Sequence, residues 1–285
     1  MNARIVGASK IAYVAIALVV AVMGVVVVAE MRYRAGNKNR VAAPSTADTT
    51  TTVAGKPASE SEPAPKVSPA ETAISAAAKQ NRYVFVTFYR KDDAASKKMQ
   101  TAMKATCGKL SHRADFVSID VDDPVQQDIV SRYGADQSPI PLTVVVAPNG
   151  AITAGYPNEI KKTDFSDAFV SDGMARVVKV LQSQKLAVVC IQSSRTKNNK
   201  KSLATAEELK ADPALGGAVQ IVKIDPSDRT ESRFMAECRV DVRSTNAQLV
   251  VLAPPGKLVG KFDGTATKDT IMASLRASLG GGGGG

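Results

Sequence analysis

Cysteine and histidine are scarce in this chain, at three and one residues of 285. Cys107, Cys190 and Cys238 are scattered and His112 is alone, so they cannot assemble the four Cys/His ligands of a standard structural zinc site. Aromatic residues make up only 5% of the chain, and none interleave with a basic stripe. With no zinc-finger spacing either, the sequence does not point to nucleic acid as a partner. The formal charge is +10, but residues 1–40 hold six Lys/Arg against one Glu and so supply half of it. The rest is spread over the remaining length, compatible with a general affinity for anionic surfaces. No cofactor or metal is expected.

One long stretch lacks charge altogether. Ile11 to Ala29 is 19 uncharged residues, enough as a helix to cross the roughly 30 Å hydrocarbon core. It exceeds the 7–15 residues or so of a signal-peptide core, so it reads as an anchor rather than a cleaved signal. Arg32, Arg34, Lys38 and Arg40 follow the span, whereas Arg4 and Lys10 precede it. Taken alone, this bias leans toward a cytoplasmic C-terminus. A short basic tail (1–10), a span (11–29) and a tether (30–67) ahead of globular domains instead suit an anchor with its domains outside the cytoplasm, the expectation adopted here. From Val41 to Val67 the chain is mostly Ala, Pro, Thr, Ser and Glu, too poor in large apolar groups to offset the entropy of ordering.

The remainder is duplicated. FVSIDVDD at 116–123 returns as IVKIDPSD at 221–228, and SPIPLTVVVAPNG at 138–150 returns as STNAQLVVLAPPG at 244–256. A spacing of about 105 residues is too long for a solenoid repeat and suits two domains, expected at 68–170 and 171–279. In the first, Ser68-Pro69-Ala70-Glu71 reads as a capped helix start. Strands are expected at 83–89, 114–121, 142–147 and 151–156, with helices at 94–110 and 124–133. A closing helix is expected to begin near Thr163, and the stretch Thr163 to Gln184 reads as ending one domain and beginning the next. The second domain repeats the series. Each unit is thus expected to be an α/β layered sandwich with a small mixed sheet. Gly280 to Gly285 reads as a flexible tail.

VFVTFYRKDDAASKKM resembles the first active-site strand and helix of thioredoxin. DIVSRYGADQSPIPLTVVVAPNG is similar to its later helix, Tyr-Gly turn, cis-proline loop and hairpin. The match covers about 68–170 and is most specific at Tyr133-Gly134, Ile140-Pro141 and Asn149-Gly150. The second copy's likeness is weaker and rests mainly on alignment with the first. The layout of anchor, tether and domain also resembles membrane-tethered thiol-disulfide proteins of bacterial envelopes. The resemblance implies tandem thioredoxin-like three-layer sandwiches. It places the family's CxxC at Asp93-Ala94-Ala95-Ser96 and at Thr196-Lys197-Asn198-Asn199, and its cis-proline at Pro141 and Ala247. Thiol–disulfide exchange needs an attacking thiolate and a resolving thiol, and neither motif position holds a sulfur. The family's buried acid falls on Thr87, and its basic partner on Phe116.

The three cysteines lie elsewhere and read as small buried hydrophobes, although a Cys190–Cys238 bridge or a lone nucleophile at Cys107 is an alternative. Asp92 and Asp93 beside Lys91 read as hydrated carboxylates. Arg195, Lys197, Lys200 and Lys201 form a candidate anion-binding loop. The expectation is a membrane-anchored, redox-inactive module that binds or scaffolds protein. In thioredoxin-like proteins an extended peptide lies along the loop before the cis-proline, which makes Gln137, Ser138, Pro139, Ile140 and Pro141 the candidate binding residues. The alternatives are a thiol oxidoreductase or peroxidase using Cys107 or borrowed thiols, and a rigid structural subunit of an envelope assembly.

Overall fold

The computed structural model describes residues 68–158 and 165–280. The expected span, tether and glycine tail beyond Gly280 lie outside them, and no helix among the described residues is long and apolar enough to cross a membrane. The first unit runs α1 (Pro69–Lys79), β1 (Tyr83–Tyr89), α2 (Ala94–Lys109), β2 (Ala114–Asp120), α3 (Gln127–Arg132), β3 (Leu142–Val146) and β4 (Ile152–Pro157). The second runs α4 (Asp172–Gln182), β5 (Leu186–Ile191), α5 (Asn199–Lys210), β6 (Val219–Ile224), α6 (Ser232–Glu237), β7 (Gln248–Ala253), β8 (Lys257–Asp263) and α7 (Lys268–Gly280). Each forms a four-stranded sheet, β2-β1-β3-β4 and β6-β5-β7-β8. The first two strands in chain order are parallel, and the hairpin pairs antiparallel.

Central strands are mainly apolar because both their faces are covered. LTVVV of β3 and LAVVCI of β5 are buried at every residue, whereas the edge strand β8 is largely exposed. Fully burying each such Val, Leu or Ile contributes about 1.5–3 kcal/mol. One face of the first sheet packs beneath α1 and α3 around Val86, Phe88, Ile119 and Ile129. The other lies under α2, with Phe85, Met99, Met103 and Val145. In the second unit, α4 and α6 cover one face and α5 and α7 the other. Helix starts follow capping chemistry: Ser68, Asp93 and Ser171 accept hydrogen bonds from Glu71 N, Ser96 N and Met174 N. Gly134 takes the left-handed conformation (φ 66°) in the Tyr-Gly turn after α3, which glycine adopts without steric cost.

The first unit does not end in a continuous helix. Thr163 lies outside the described residues, and a 3-10 turn at Ser166–Ala168 followed by extended backbone at Phe169 precedes α4. An aromatic strap covers the sheet face there. Phe165 meets Phe85 and Tyr156 edge-on at 5.7 and 5.3 Å, and Phe169 meets Tyr83 at 4.9 Å. Tyr83 Oη donates to Val170 O (2.8 Å), and Thr153 Oγ1 donates to Ala168 O (2.7 Å). Phe165 and Phe169 thus cover this face of the sheet by packing on the rings of Tyr83, Phe85 and Tyr156.

Helix α4 joins the units. Its Ala175 packs with Ala147 and Ala151 of the first hairpin. Gln182 treats edge strand β4 as a strand partner would: its Oε1 accepts from Ile152 N (3.0 Å) and its Nε2 donates to Ile152 O (2.7 Å). Gln182→Leu should therefore lose two hydrogen bonds worth about 0.5–1.5 kcal/mol each. Calorimetry should show a lower Tm and the single unfolding transition beginning to separate into two. An unchanged endotherm would mean that the amide contributes nothing to coupling.

Candidate functional site

The Asp93–Ser96 segment folds as a helix start. Asp93 Oδ2 accepts from Ser96 N at 2.7 Å, and the fully buried Ser96 hydroxyl accepts from Arg90 N at 3.2 Å. The hydrogen bonds from Ser96 hold the Asp93 carboxyl below its ordinary range. Beneath it, Thr87 and Thr143 share a buried hydrogen bond (2.7 Å), and Thr143 Oγ1 donates to Met99 Sδ (3.2 Å). The position of the family's buried acid thus holds an uncharged pair. Phe116 lies opposite Phe85 in the register; the residue opposite Thr87 on β2 is Ser118.

Ile140 borders a cleft of about 700 Å³ with Arg90, Lys91, Asp92, Asp93, Asp120 and Asp122. Lys91 Nζ lies 3.1 Å from Asp120, and this contact raises the lysine pKa. Among the described residues no group of three or more His, Cys, Asp or Glu is arranged to hold a metal ion. The Ile140–Pro141 peptide is cis. The loop before it is only partly tied down, by Ser138 Oγ donating to Gly134 O (2.7 Å) and Gln137 N to Gly134 O (3.3 Å). Ile140 N–H and C=O have no hydrogen-bond partner among the described residues.

The second copy is closed at the same place. Lys197 N donates to Thr245 O (2.8 Å) and Ala247 N donates to Lys197 O (2.9 Å), a parallel bridge between the 193–199 loop and the approach to β7. Asn246, the counterpart of Ile140, has both main-chain groups taken by one hydroxyl: its N–H donates to Ser244 Oγ (3.1 Å), and Ser244 Oγ donates to its carbonyl (3.0 Å). The loop is itself a hydrogen-bonded ring. Thr196 Oγ1 accepts from Ser193 N (2.8 Å) and donates to Asn199 Oδ1 (2.7 Å), while Asn199 Nδ2 donates to Ser193 O (2.7 Å). Asn198 sits at φ 63°. The two cis peptides among the described residues are Ile140–Pro141 and Pro254–Pro255, so the bond before Ala247 is trans. Sequence reading missed Ser244, although its alignment with Ser138 marks where the copies use one hydroxyl differently.

Arg195, Lys197, Lys200 and Lys201 are exposed around this loop, without an ion pair among the described residues. The three thiols are free and buried. Burial pushes Cys107 up to about 12, Cys238 to about 12 and Cys190 to about 11. Cys190 projects into the cluster beneath α5 and α7, and Cys238 into the one beneath α4 and α6. The sheet stands between them, which removes the pairing open at the sequence level.

Strand order, layering and the Ile140–Pro141 corner are consistent with tandem thioredoxin-like domains. No protein-family model matches the chain, and no curated protein does. Among solved structures, oxidised mitochondrial thioredoxin 3 of Saccharomyces cerevisiae is 22% identical, with 30% of this chain and 76% of that one covered at a TM-score of 0.25. Human ERp44 is 14% identical over 72% of this chain and 55% of that one, at a TM-score of 0.30. The first two thioredoxin domains of Saccharomyces cerevisiae Eps1p are 12% identical over 76% of this chain and 99% of theirs, at a TM-score of 0.26.

Proposed function

We propose that this protein is a membrane-anchored, redox-inactive thioredoxin-like protein whose first domain holds an extended polypeptide segment along the main chain at Ile140. The observation that carries the reading is the contrast between copies: Ile140 N–H and C=O are unpaired among the described residues, while the same groups of Asn246 are both occupied by Ser244. An extended segment pairing with Ile140 gains main-chain hydrogen bonds and leaves specificity to neighbouring side chains. The uncharged run 11–29 and the polar stretch behind it support an anchor that carries the domains outside the cytoplasm. Absence of sulfur from both CxxC positions, and burial of the three remaining thiols, support a role without thiol–disulfide turnover. A second reading, a rigid structural subunit, draws support from the Gln182 amide that bridges the units.

A benzophenone side chain placed at Gln137 in the membrane-bound protein should crosslink a partner, and Ile140→Asp should abolish that adduct. The same probe at the counterpart Arg243 should give none. Equal crosslinking at both positions, or an adduct that survives Ile140→Asp with unchanged Tm, would remove the first-domain edge from consideration.

A further inference from the structure

Strand β6 is the free edge of the second sheet. Leu186 N bonds to Ala218 O, and Gln192 N bonds to Ile224 O. With the parallel register of β5 and β6, this phase turns the main-chain groups of Val219, Ile221 and Lys223 outward. Arg176 Nη2 donates to Lys223 O (3.2 Å) and Val219 is buried at 2% exposure, which leaves the main-chain groups of the half-buried Ile221 without a partner among the described residues. Beside it lies a groove of about 660 Å³ lined by Arg176, Lys185, Lys210, Lys223 and Glu207; Arg176 pairs with Asp172 (3.2 Å) and Lys210 with Glu207 (4.0 Å), which leaves Lys185 and Lys223 without an ion pair among the described residues.

The first copy shows what has been removed. There the edge strand is β2, and Arg82 closes its start by donating to Ser111 O (2.6 Å) and to the outward carbonyl of Ala114 (3.1 Å). Its charge is met by Asp115 at 2.6 Å. Arg82 aligns with Lys185, and Asp115 with Gln220, because Tyr83 pairs with Ala114 as Leu186 pairs with Val219. The second copy keeps the cation, loses the acid, and leaves Lys185, a half-buried residue, without an ion pair among the described residues.

We propose that the β6 edge is a docking surface for an acidic extended segment of another polypeptide, which pairs with the main chain at Ile221 and places carboxylates against Lys185 and Lys223. The partner replaces the carboxylate that Asp115 provides within the first copy. Main-chain pairing supplies affinity, and charge selects the segment and its register. The surface is separate from the Ile140 edge and does not depend on it.

The test uses the full chain with an end-blocked peptide Thr-Glu-Val-Glu-Val-Glu-Thr, its Lys-for-Glu counterpart, and phosphatidylglycerol vesicles. Amide hydrogen exchange is read at Ile221. The acidic peptide at saturation should slow exchange there about tenfold or more. The Lys peptide should not. Lys185→Gln with Lys223→Gln should abolish the protection at unchanged Tm, and the Glu pair at the same positions should transfer it to the Lys peptide. No protection by the acidic peptide would mean that these lysines only guard the edge against self-pairing, overturning the proposal. Equal protection by both peptides, or protection by vesicles alone, would overturn it too.

Discussion

Gly173→Ala is expected to destabilise the protein by about 2–4 kcal/mol, although glycine to alanine within a helix ordinarily gains up to about 1 kcal/mol. Gly173 lies in the first turn of α4, where a Cβ would stand 2.6 Å from Glu231 Oε1 and 2.8 Å from its carboxyl carbon. Glu231 is only 4% exposed. Its carboxylate accepts from Gly173 N (2.7 Å) and Ser171 Oγ (2.5 Å), so one buried acid serves two donors at the helix start. Alanine forces that carboxylate aside, which combines overpacking of about 1–3 kcal/mol with loss of hydrogen bonds to a charged group, about 1.5–3 kcal/mol each. The double-mutant cycle is decisive. In a Glu231→Ala background the obstruction is absent, so Gly173→Ala should cost less than about 0.5 kcal/mol, a strong departure from additivity. Chemical denaturation of the four proteins measures this, and additive costs would show that the glycine is not kept for the carboxylate.

Thiol reactivity in the native state should be suppressed by about two hundredfold for Cys190 and by about a thousandfold or more for Cys107 and Cys238. At pH 8 an ordinary cysteine with a pKa near 8.5 is about one quarter thiolate. Cys107 and Cys238, pushed by burial to about 12, are thiolate in only about one molecule in 10⁴. Cys190, at about 11, is ionised in about one in 10³. Ellman's reagent should therefore react with all three thiols at once in denaturant and with none at an ordinary rate in native protein. Because the titrations lie far above neutrality, the native rate should climb about tenfold per pH unit from 7 to 9 without levelling. Insulin reduction should stay at background. A native thiol reacting at the denatured rate, located by mass spectrometry, would reopen catalysis at that cysteine.

The duplication carried most of the fold in its sequence, since strands buried on both faces must be continuous apolar runs and LTVVV and QLVVLA could be little else. Pro141 and the Tyr133-Gly134 turn marked the corner beside the open edge. What the chain did not reveal was the use of groups at long range. Nothing local to Ser244 shows that its hydroxyl caps both sides of Asn246, because Ser138 in the same alignment position bonds Gly134 instead. Glu231 looks like any surface acid ahead of a short helix until α4 is packed beside it. The closing helix expected near Thr163 fails for a related reason: its role falls to Phe165 and Phe169, whose value lies in the rings they meet rather than in any periodicity. Lys185 was overlooked because a lysine before a strand carries no signal until its counterpart's ion pair is seen.

The Gln182 bridge bears on the protein's ancestry. A copied gene segment begins as two equal parts, each free to accumulate changes on its own account. Once the opening helix of the later copy supplied the amide that finishes the edge of the earlier one at Ile152, that freedom ended. Drift at Gln182 now damages a neighbour it does not belong to by descent. The pair is thereby the unit of stability, while the loops at Ile140 and Asn246 differ, the first without main-chain partners among the described residues and the second closed by Ser244.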